Sequence, residues 1–170
     1  FFTYEETLPV ARPFTLDNCC CSMGVDWSQG DDFCAFTFLF PINGRFKIIT
    51  RCYVTSKTMN SLHEAAYEKY QNFIKEGGLV VMEGTILNSE EVYEDISQFI
   101  YDHNYVVICW GYDPYGITYF EDRYDKENGE YGKVKVPQGV RTESVPLGEL
   151  KHLAEEGELE FYQEIMSFCM

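Results

Sequence analysis

Residues 19–54 read CCCSMGVDWSQGDDFCAFTFLFPINGRFKIITRCYV, and this stretch decides the fold because polar breaks divide it into three apolar runs. The runs cover residues 19–25, 33–40 and 45–54. The second is apolar nearly throughout, which is typical of a central strand covered on both faces. Asn43-Gly44 separates the last two runs and is the strongest short-range signal of a hairpin. The stretch therefore predicts three antiparallel strands joined by short connections.

After residue 54 the apolar residues recur at helical spacing. One helix is predicted after a capping box of Ser61 and Glu64, and a second after the cap Asn88. Further elements are predicted as strands at residues 79–82, 105–112 and 133–136 and as helices at residues 117–124 and 145–156. This order predicts an α/β domain over residues 19–170, preceded by a lead-in segment over residues 1–18. Its mixed sheet has three antiparallel strands, then parallel strands connected by helical crossovers, with helices on both faces.

Composition limits the class of protein. Of the 170 residues, 45% are hydrophobic and 16% aromatic, enough for a core, and no run approaches the roughly 20 apolar residues of a membrane span. The 28 acidic and 13 basic side chains give a net charge of −15, which argues against an ordinary basic nucleic-acid binder. The seven cysteines include no C-x-x-C pair, so reduced core thiols are predicted.

Two familiar enzyme classes find no support in the sequence. The three histidines show no pairing with a nucleophile, so a Ser-His or Cys-His hydrolase is not indicated. No Walker-type glycine-rich loop occurs, which excludes an ATPase in this stretch of chain.

Two acids differ from the others because each directly follows a buried apolar strand. They are Asp26, after the first predicted strand, and Asp113, after residues 105–112. If these two strands are parallel neighbours, both carboxylates emerge at the same edge of the sheet, where open α/β sheets bind ligands. Converging carboxylates suit Mg²⁺ or Mn²⁺, and Asp31 and Asp32 in the following turn supply a candidate further ligand. The alternative is that such acids only form turns or cap helices.

Three ordered motifs resemble the nuclease domain of phage terminase large subunits. The first is MGVDWSQGDDFCAFTFLF at residues 23–40, similar to the family's opening strand, turn and second strand. The second is EGGLVVMEGTILNSEEVYEDISQFIYDHNYVVICWGYDPYGI at residues 76–117, which leads to an Asp-Pro-aromatic motif. The third is KVKVPQGVRTESVPLGELKHLAEEGELEF at residues 133–161, with the family's Pro-Gln-Gly segment. The resemblance covers roughly residues 20–170.

The resemblance implies an RNase H-like fold and a metal-dependent endonuclease that cuts concatemeric double-stranded DNA during viral genome packaging, by two-metal hydrolysis with Mg²⁺ or Mn²⁺. Asp26 and Asp113 match the family's first two metal ligands. Asp32 resembles an accessory acid of some members, with Asp31 as its neighbour and rival. The family's third catalytic acid has no counterpart, so the domain is expected to be incomplete at its carboxyl end and to follow an ATPase motor.

The resemblance also implies where DNA and protein partners bind. Lys133, Lys135 and Arg141 flank the Pro-Gln-Gly segment and are predicted to contact DNA phosphates, the alternative being ordinary charges on an edge strand. The expected partners are double-stranded DNA, the terminase ATPase domain, the small terminase subunit and the portal protein, in the cytoplasm of a bacterial host. Tyr112, Tyr115 and Tyr119 are weaker candidates for stacking on bases, the alternative being simple packing.

Two other functions remain open at this point. One is another RNase H-like nuclease, such as a resolvase or transposase, which would share the acids but lack the Pro-Gln-Gly motif. The other is a catalytically inactive acidic domain that docks a portal or motor partner or mimics DNA. With a net charge of −15, DNA binding is predicted to be weak, dependent on metal and sensitive to salt.

Overall fold

The structure, a computed structural model, describes residues 1–11, 15–28 and 32–169, and in these ranges seven strands form one sheet. The strands are β1 (Cys20–Asp26), β2 (Cys34–Ile42), β3 (Arg45–Thr55), β4 (Leu79–Met82), β5 (Val106–Tyr112), β6 (Lys133–Lys135) and β7 (Leu159–Phe161). The helices are α1 (Ser56–Ser61), α2 (Glu64–Lys75), α3 (Ser89–Asp102), α4 (Thr118–Asn128), α5 (Val140–Glu155) and α6 (Ile165–Cys169), and a 3₁₀ turn covers Glu5–Thr7.

The sheet has the order β4-β3-β2-β1-β5-β6, and β7 pairs with β3 on the same edge as β4. Strands β1, β2 and β3 are antiparallel, whereas β5 is parallel to β1, β6 to β5 and β4 to β3. The hairpin turn between β2 and β3 has φ angles of 52° at Asn43 and 75° at Gly44, as this residue pair favours. The predicted mixed α/β sheet is confirmed.

The two faces of the sheet differ in character. We call the face that carries Phe36, Phe38 and Trp110 the aromatic face; α3 and α4 cover it and complete the main core. We call the other the second face; Val54 and Ile48 on this face pack with residues of α2, α5 and α6. Because strand side chains alternate between faces, each strand residue can be assigned to one of them. Helices therefore lie on both faces, as predicted.

Several local predictions were wrong. Ser61 does not cap α2; it ends α1, a helix that was not predicted, and its hydroxyl donates to the Thr58 carbonyl at 2.8 Å. The cap is His63, whose Nδ1 accepts from the Ala66 amide at 3.3 Å. Asn88 caps α3 as predicted. Helix α5 begins at Val140 rather than at residue 145, and β7 and α6 were not predicted.

The described part of the lead-in segment packs against the domain. Phe2 contacts the ring of Phe161 edge-on at 6.5 Å, and the Val10 amide donates to the Phe161 carbonyl at 2.8 Å. Glu6 forms an ion pair with Lys151 of α5 at 2.7 Å. The boundary between residues 18 and 19 stays a prediction. Within the described residues, no helix is long and apolar enough to cross a membrane.

Candidate active site

Alternating burial directs the two candidate acids to the second face. At the end of β1, Val25 and Trp27 are 6% and 9% exposed and pack in the aromatic core. Asp26, which lies between them, is exposed on the opposite side. At the end of β5, Tyr112 is 1% exposed and stacks on Trp110 at 4.4 Å. These buried rings anchor the strand ends and fix the faces on which the acids emerge.

The register of β1 and β5 brings the acids to the same level of the sheet. The strands are parallel neighbours, with Gly24 opposite Gly111 and Val25 opposite Tyr112. The next residue on each strand is the acid, Asp26 on one and Asp113 on the other. The predicted parallel pairing is therefore confirmed, and both carboxylates lie at the carboxyl ends of adjacent strands.

The carboxylates near the ends of β1 and β5 interact electrostatically. Partial loss of water around Asp26, and then the negative charges of Asp113 and Asp32, raise the pKa of the Asp26 carboxyl. Asp113 is half-buried, and its Oδ1 accepts a hydrogen bond from the Tyr115 amide at 3.2 Å, so it also forms the turn that the alternative interpretation expected. A bound cation would relieve the repulsion between the acids.

A cavity of about 560 Å³ lies beside the two acids on the second face. Its lining includes both carboxylate residues together with Gln138 and Glu143. The sequence prediction missed Glu143 because it placed the start of the last helix at residue 145, after this acid. In the structure α5 begins at Val140, and Glu143 lies in its first turn. The sequence signal that could have located the start of this helix, and with it Glu143, is the Pro-Gln-Gly segment directly before its first turn.

The donor set agrees with a hard divalent cation. Two neighbouring carboxylates without thiolate or imidazole are oxygen donors of the kind that Mg²⁺ uses together with water and substrate phosphate. Across the ranges that the structure describes, no group of three or more His, Cys, Asp or Glu side chains is close enough to hold a metal ion by itself. Asp32 is exposed, and its negative charge is close enough to contribute to the raised pKa of Asp26. Asp31 lies outside the described residues.

The predicted phosphate contacts are separated by the structure. Lys133 and Lys135 are register partners of Trp110 and Tyr112, so they lie on the aromatic face and not on the face of the acids. Lys133 forms ion pairs with Glu121, at 3.0 Å, and with Asp125.

Lys135 lies 3.6 Å from the same Glu121 carboxylate, with its side chain 59% exposed. Arg141 is exposed in the first turn of α5, close in sequence to Glu143. Tyr112 is packed in the core, as the simpler alternative expected, whereas Tyr115 is 86% exposed beside Asp113.

Comparison with known proteins assigns the chain to a family. A family model described as terminase large subunit, endonuclease domain, matches residues 10–168. Among solved structures, the large terminase of bacteriophage HK97 aligns with a TM-score of 0.76 and 19% identity, over 98% of this chain. The chain spans 34% of the length of that terminase. No curated protein sequence matches. The fold therefore agrees with that of a phage large terminase, and the chain belongs to the family of terminase large subunit endonuclease domains.

Proposed function

We propose that the chain is a metal-dependent endonuclease that cuts concatemeric double-stranded DNA during viral genome packaging, at the cavity beside Asp26 and Asp113. The observation that supports this most directly is the position of the two acids. They follow adjacent parallel strands at the same level and border one cavity, and partial burial, followed by the nearby negative charge of Asp113, raises the pKa of the Asp26 carboxyl. Such a pair costs stability in the absence of a cation, which favours a catalytic role over a purely structural one.

In this proposal each acid has a role that its position supports. Asp26 and Asp113 would hold Mg²⁺ or Mn²⁺ from two rigid strand ends, with Asp32 as an accessory ligand from the following turn. Bound divalent ions supply the positive charge that activates water and stabilises the leaving oxygen of a phosphodiester. Trp27 and Tyr112 keep both strand ends fixed by packing on the aromatic face, so the carboxylates need little reorganisation when a substrate arrives.

The basic side chains contribute unequally to DNA binding in this proposal. Arg141 is exposed and lies in the sequence between Gln138 and Glu143 of the cavity lining, so it is the best candidate among the three predicted phosphate contacts. Lys135 has an exposed side chain but lies on the other face, and the ammonium group of Lys133 is occupied by two carboxylates. With few basic groups near the acids and a net charge of −15, we expect weak DNA binding that requires metal and decreases with salt.

The wider setting follows from the family and is part of the same proposal. The double-stranded DNA substrate would reach this domain together with the terminase ATPase domain, the small terminase subunit and the portal protein, in the cytoplasm of the bacterial host.

The test is to replace each acid by its neutral isostere. Asp26→Asn and Asp113→Asn should abolish Mn²⁺-dependent cleavage of supercoiled plasmid, whereas Glu94→Gln, an exposed acid on α3, should not. Saturating Mn²⁺ should raise the Tm of the wild type by about 5 °C or more, since a ligand at 100 times its Kd adds about 2.7 kcal/mol. The two Asn variants should lose this rise.

The results separate the proposal from its alternatives. Cleavage that survives both Asn substitutions would show that the site lies elsewhere. A wild type that neither cleaves DNA nor gains stability from Mn²⁺ would favour an acidic domain that docks a protein partner.

A further inference from the structure

Two glycines occupy strand interiors directly beside the candidate acids. Gly24 and Gly111 are register partners on β1 and β5, and each precedes an acid by two residues, so each lies on the same face as that acid. Glycine in a strand interior loses backbone entropy on folding and contributes no side chain to the sheet, so it weakens the strand. Two of them side by side in the middle of a sheet need a physical reason.

The fold itself does not supply that reason. Neither residue has a positive φ, so an ordinary side chain would fit the backbone conformation. A Cβ at Gly24 would meet no atom within 4 Å, and one at Gly111 would approach only Val136 Cγ2 at 3.4 Å and the Val134 carbonyl at 4.0 Å. By contrast, a Cβ at Gly132 would lie 2.5 Å from the Ile108 carbonyl oxygen, so packing explains that glycine.

The two glycines form the floor of the cavity. On the other side of Gly24 its register partner is Thr37 of β2, and Ala35 is the partner of Asp26. These four small residues lie together in the cavity lining, across three adjacent strands. On the aromatic face the same strands carry large buried side chains such as Met23 and Trp110. The part of the second face that borders the acids thus carries small side chains on three adjacent strands, whereas the opposite face carries large aromatic ones.

We infer that Gly24 and Gly111 determine how closely the nucleic acid approaches the sheet. Because neither residue has a side chain, one sugar–phosphate strand lies directly against the sheet surface, with the phosphate to be cut at the two acids. Three strands spaced about 4.8 Å apart make a floor roughly 10 Å wide, enough for one backbone strand. Glycine in a strand commonly marks a place where another backbone approaches closely. This inference rests on the proposed function, because it takes the cavity to be the place of cleavage.

The test compares Gly24→Val with Cys20→Val. Cys20 is also exposed on the second face of β1 but lies outside the cavity, so it is a matched control. Binding of a short fluorescent DNA duplex in the presence of Ca²⁺ should weaken about tenfold or more in Gly24→Val, because overfilling a close contact typically has this effect. Gly24→Ala should give a smaller loss, and Cys20→Val none.

Two further readouts separate access from damage to the site. The Tm of Gly24→Val should equal or exceed that of the wild type, because valine favours strands. Its Mn²⁺-induced rise in Tm should be unchanged, because the acids are untouched. Hydrolysis of bis(p-nitrophenyl) phosphate, which is small enough to pass the valine, should decrease much less than cleavage of plasmid.

Each outcome has one meaning. Unchanged duplex binding by Gly24→Val would overturn the inference and leave the proposed function intact. Loss of the Mn²⁺ response in this variant would also overturn it, because the glycine would then act through the acids. A wild type that shows neither Mn²⁺ response nor duplex binding would refute the proposed function and the inference with it.

Discussion

The carboxylate of Glu160 connects β7 to the first half of β3, and we predict that Glu160→Gln weakens this connection at neutral pH. Glu160 accepts hydrogen bonds from Lys47, from Arg45 Nη1 at 3.0 Å and from the Tyr162 hydroxyl at 3.0 Å. The bond from Lys47 above all, with those from Arg45 and Tyr162, lowers the pKa of Glu160 from 4.5 to about 2. The charged form of this group is therefore much more stable in the folded protein than in the unfolded chain.

The pKa difference sets the size of the effect. One pKa unit corresponds to about 1.4 kcal/mol, so a decrease from 4.5 to about 2 gives at most about 3 kcal/mol. The side chain of Glu160 is 13% exposed, but that of Arg45 is 59% exposed, and water screens its contribution. We expect Glu160→Gln to lower the free energy of unfolding by about 2 kcal/mol at pH 7.

The dependence on pH distinguishes this mechanism from a simple packing defect. Because the folded pKa lies below the unfolded value, the stabilisation is complete above pH 4.5 and is lost as the pH falls from 4.5 toward 2. Urea denaturation between pH 7 and pH 3 should show the wild type and Glu160→Gln converging as the pH falls. The exposed Glu156→Gln is the control. A difference that does not change with pH, or an equal loss in the control, would refute the reasoning.

Three further predictions concern other named contacts. Gln163→Leu should lower the free energy of unfolding by about 3 kcal/mol in urea denaturation, because the Gln163 amide pairs with both the Thr50 amide, at 2.7 Å, and the Thr50 carbonyl, at 3.0 Å; an exposed Gln98→Leu change should cost far less. Asp95→Asn should lower it by about 2 kcal/mol, since Asp95 binds Arg51 through two hydrogen bonds, at 2.7 and 3.0 Å; an unchanged urea midpoint would contradict this. Arg141→Ala should reduce the salt dependence of DNA binding by about one phosphate contact, whereas Lys133→Met should lower the Tm and leave that salt slope unchanged; the reverse result would assign the phosphate contact to Lys133.

The features that the sequence predicted well depend on local signals. Asn43 and Gly44 both have positive φ angles, a requirement that few other residue pairs meet, so the hairpin follows from two residues. The apolar run of β2 predicts a central strand, and β1 and β3 do flank it, but only its aromatic face is fully buried, since Ala35, Thr37 and Leu39 on the second face are half-buried. The parallel placement of β5 beside β1 follows from a helical crossover, and with it the convergence of Asp26 and Asp113.

The features that the sequence prediction missed depend on contacts between distant residues. Strand β7 has only three residues, too few for a visible alternation, and forms because β3 has a free edge beside β4. The Gln163 amide completes this edge by pairing with Thr50, which is 113 residues away in sequence. Glu143 joins the cavity because α5 begins at Val140, five residues before the predicted start, and Pro146 lies inside the helix.

The net charge of −15 acquires a different meaning once the ion pairs are known. Seven of the 13 Lys and Arg residues form ion pairs that join elements of the fold: Arg45, Lys47, Arg51, Arg123, Lys133, Lys135 and Lys151. Asp26 and Asp113 form no ion pair with any other residue in the described part of the chain. Among the described residues these seven basic side chains thus neutralise carboxylates that stabilise the fold, and the proposed function assigns a bound cation to the acids beside the cavity. In that proposal a divalent cation would neutralise the carboxylates and would also attract phosphate, because a bound cation is often the largest local charge in its site. In a domain of this charge, we therefore expect cation binding to precede, and to control, the binding of DNA.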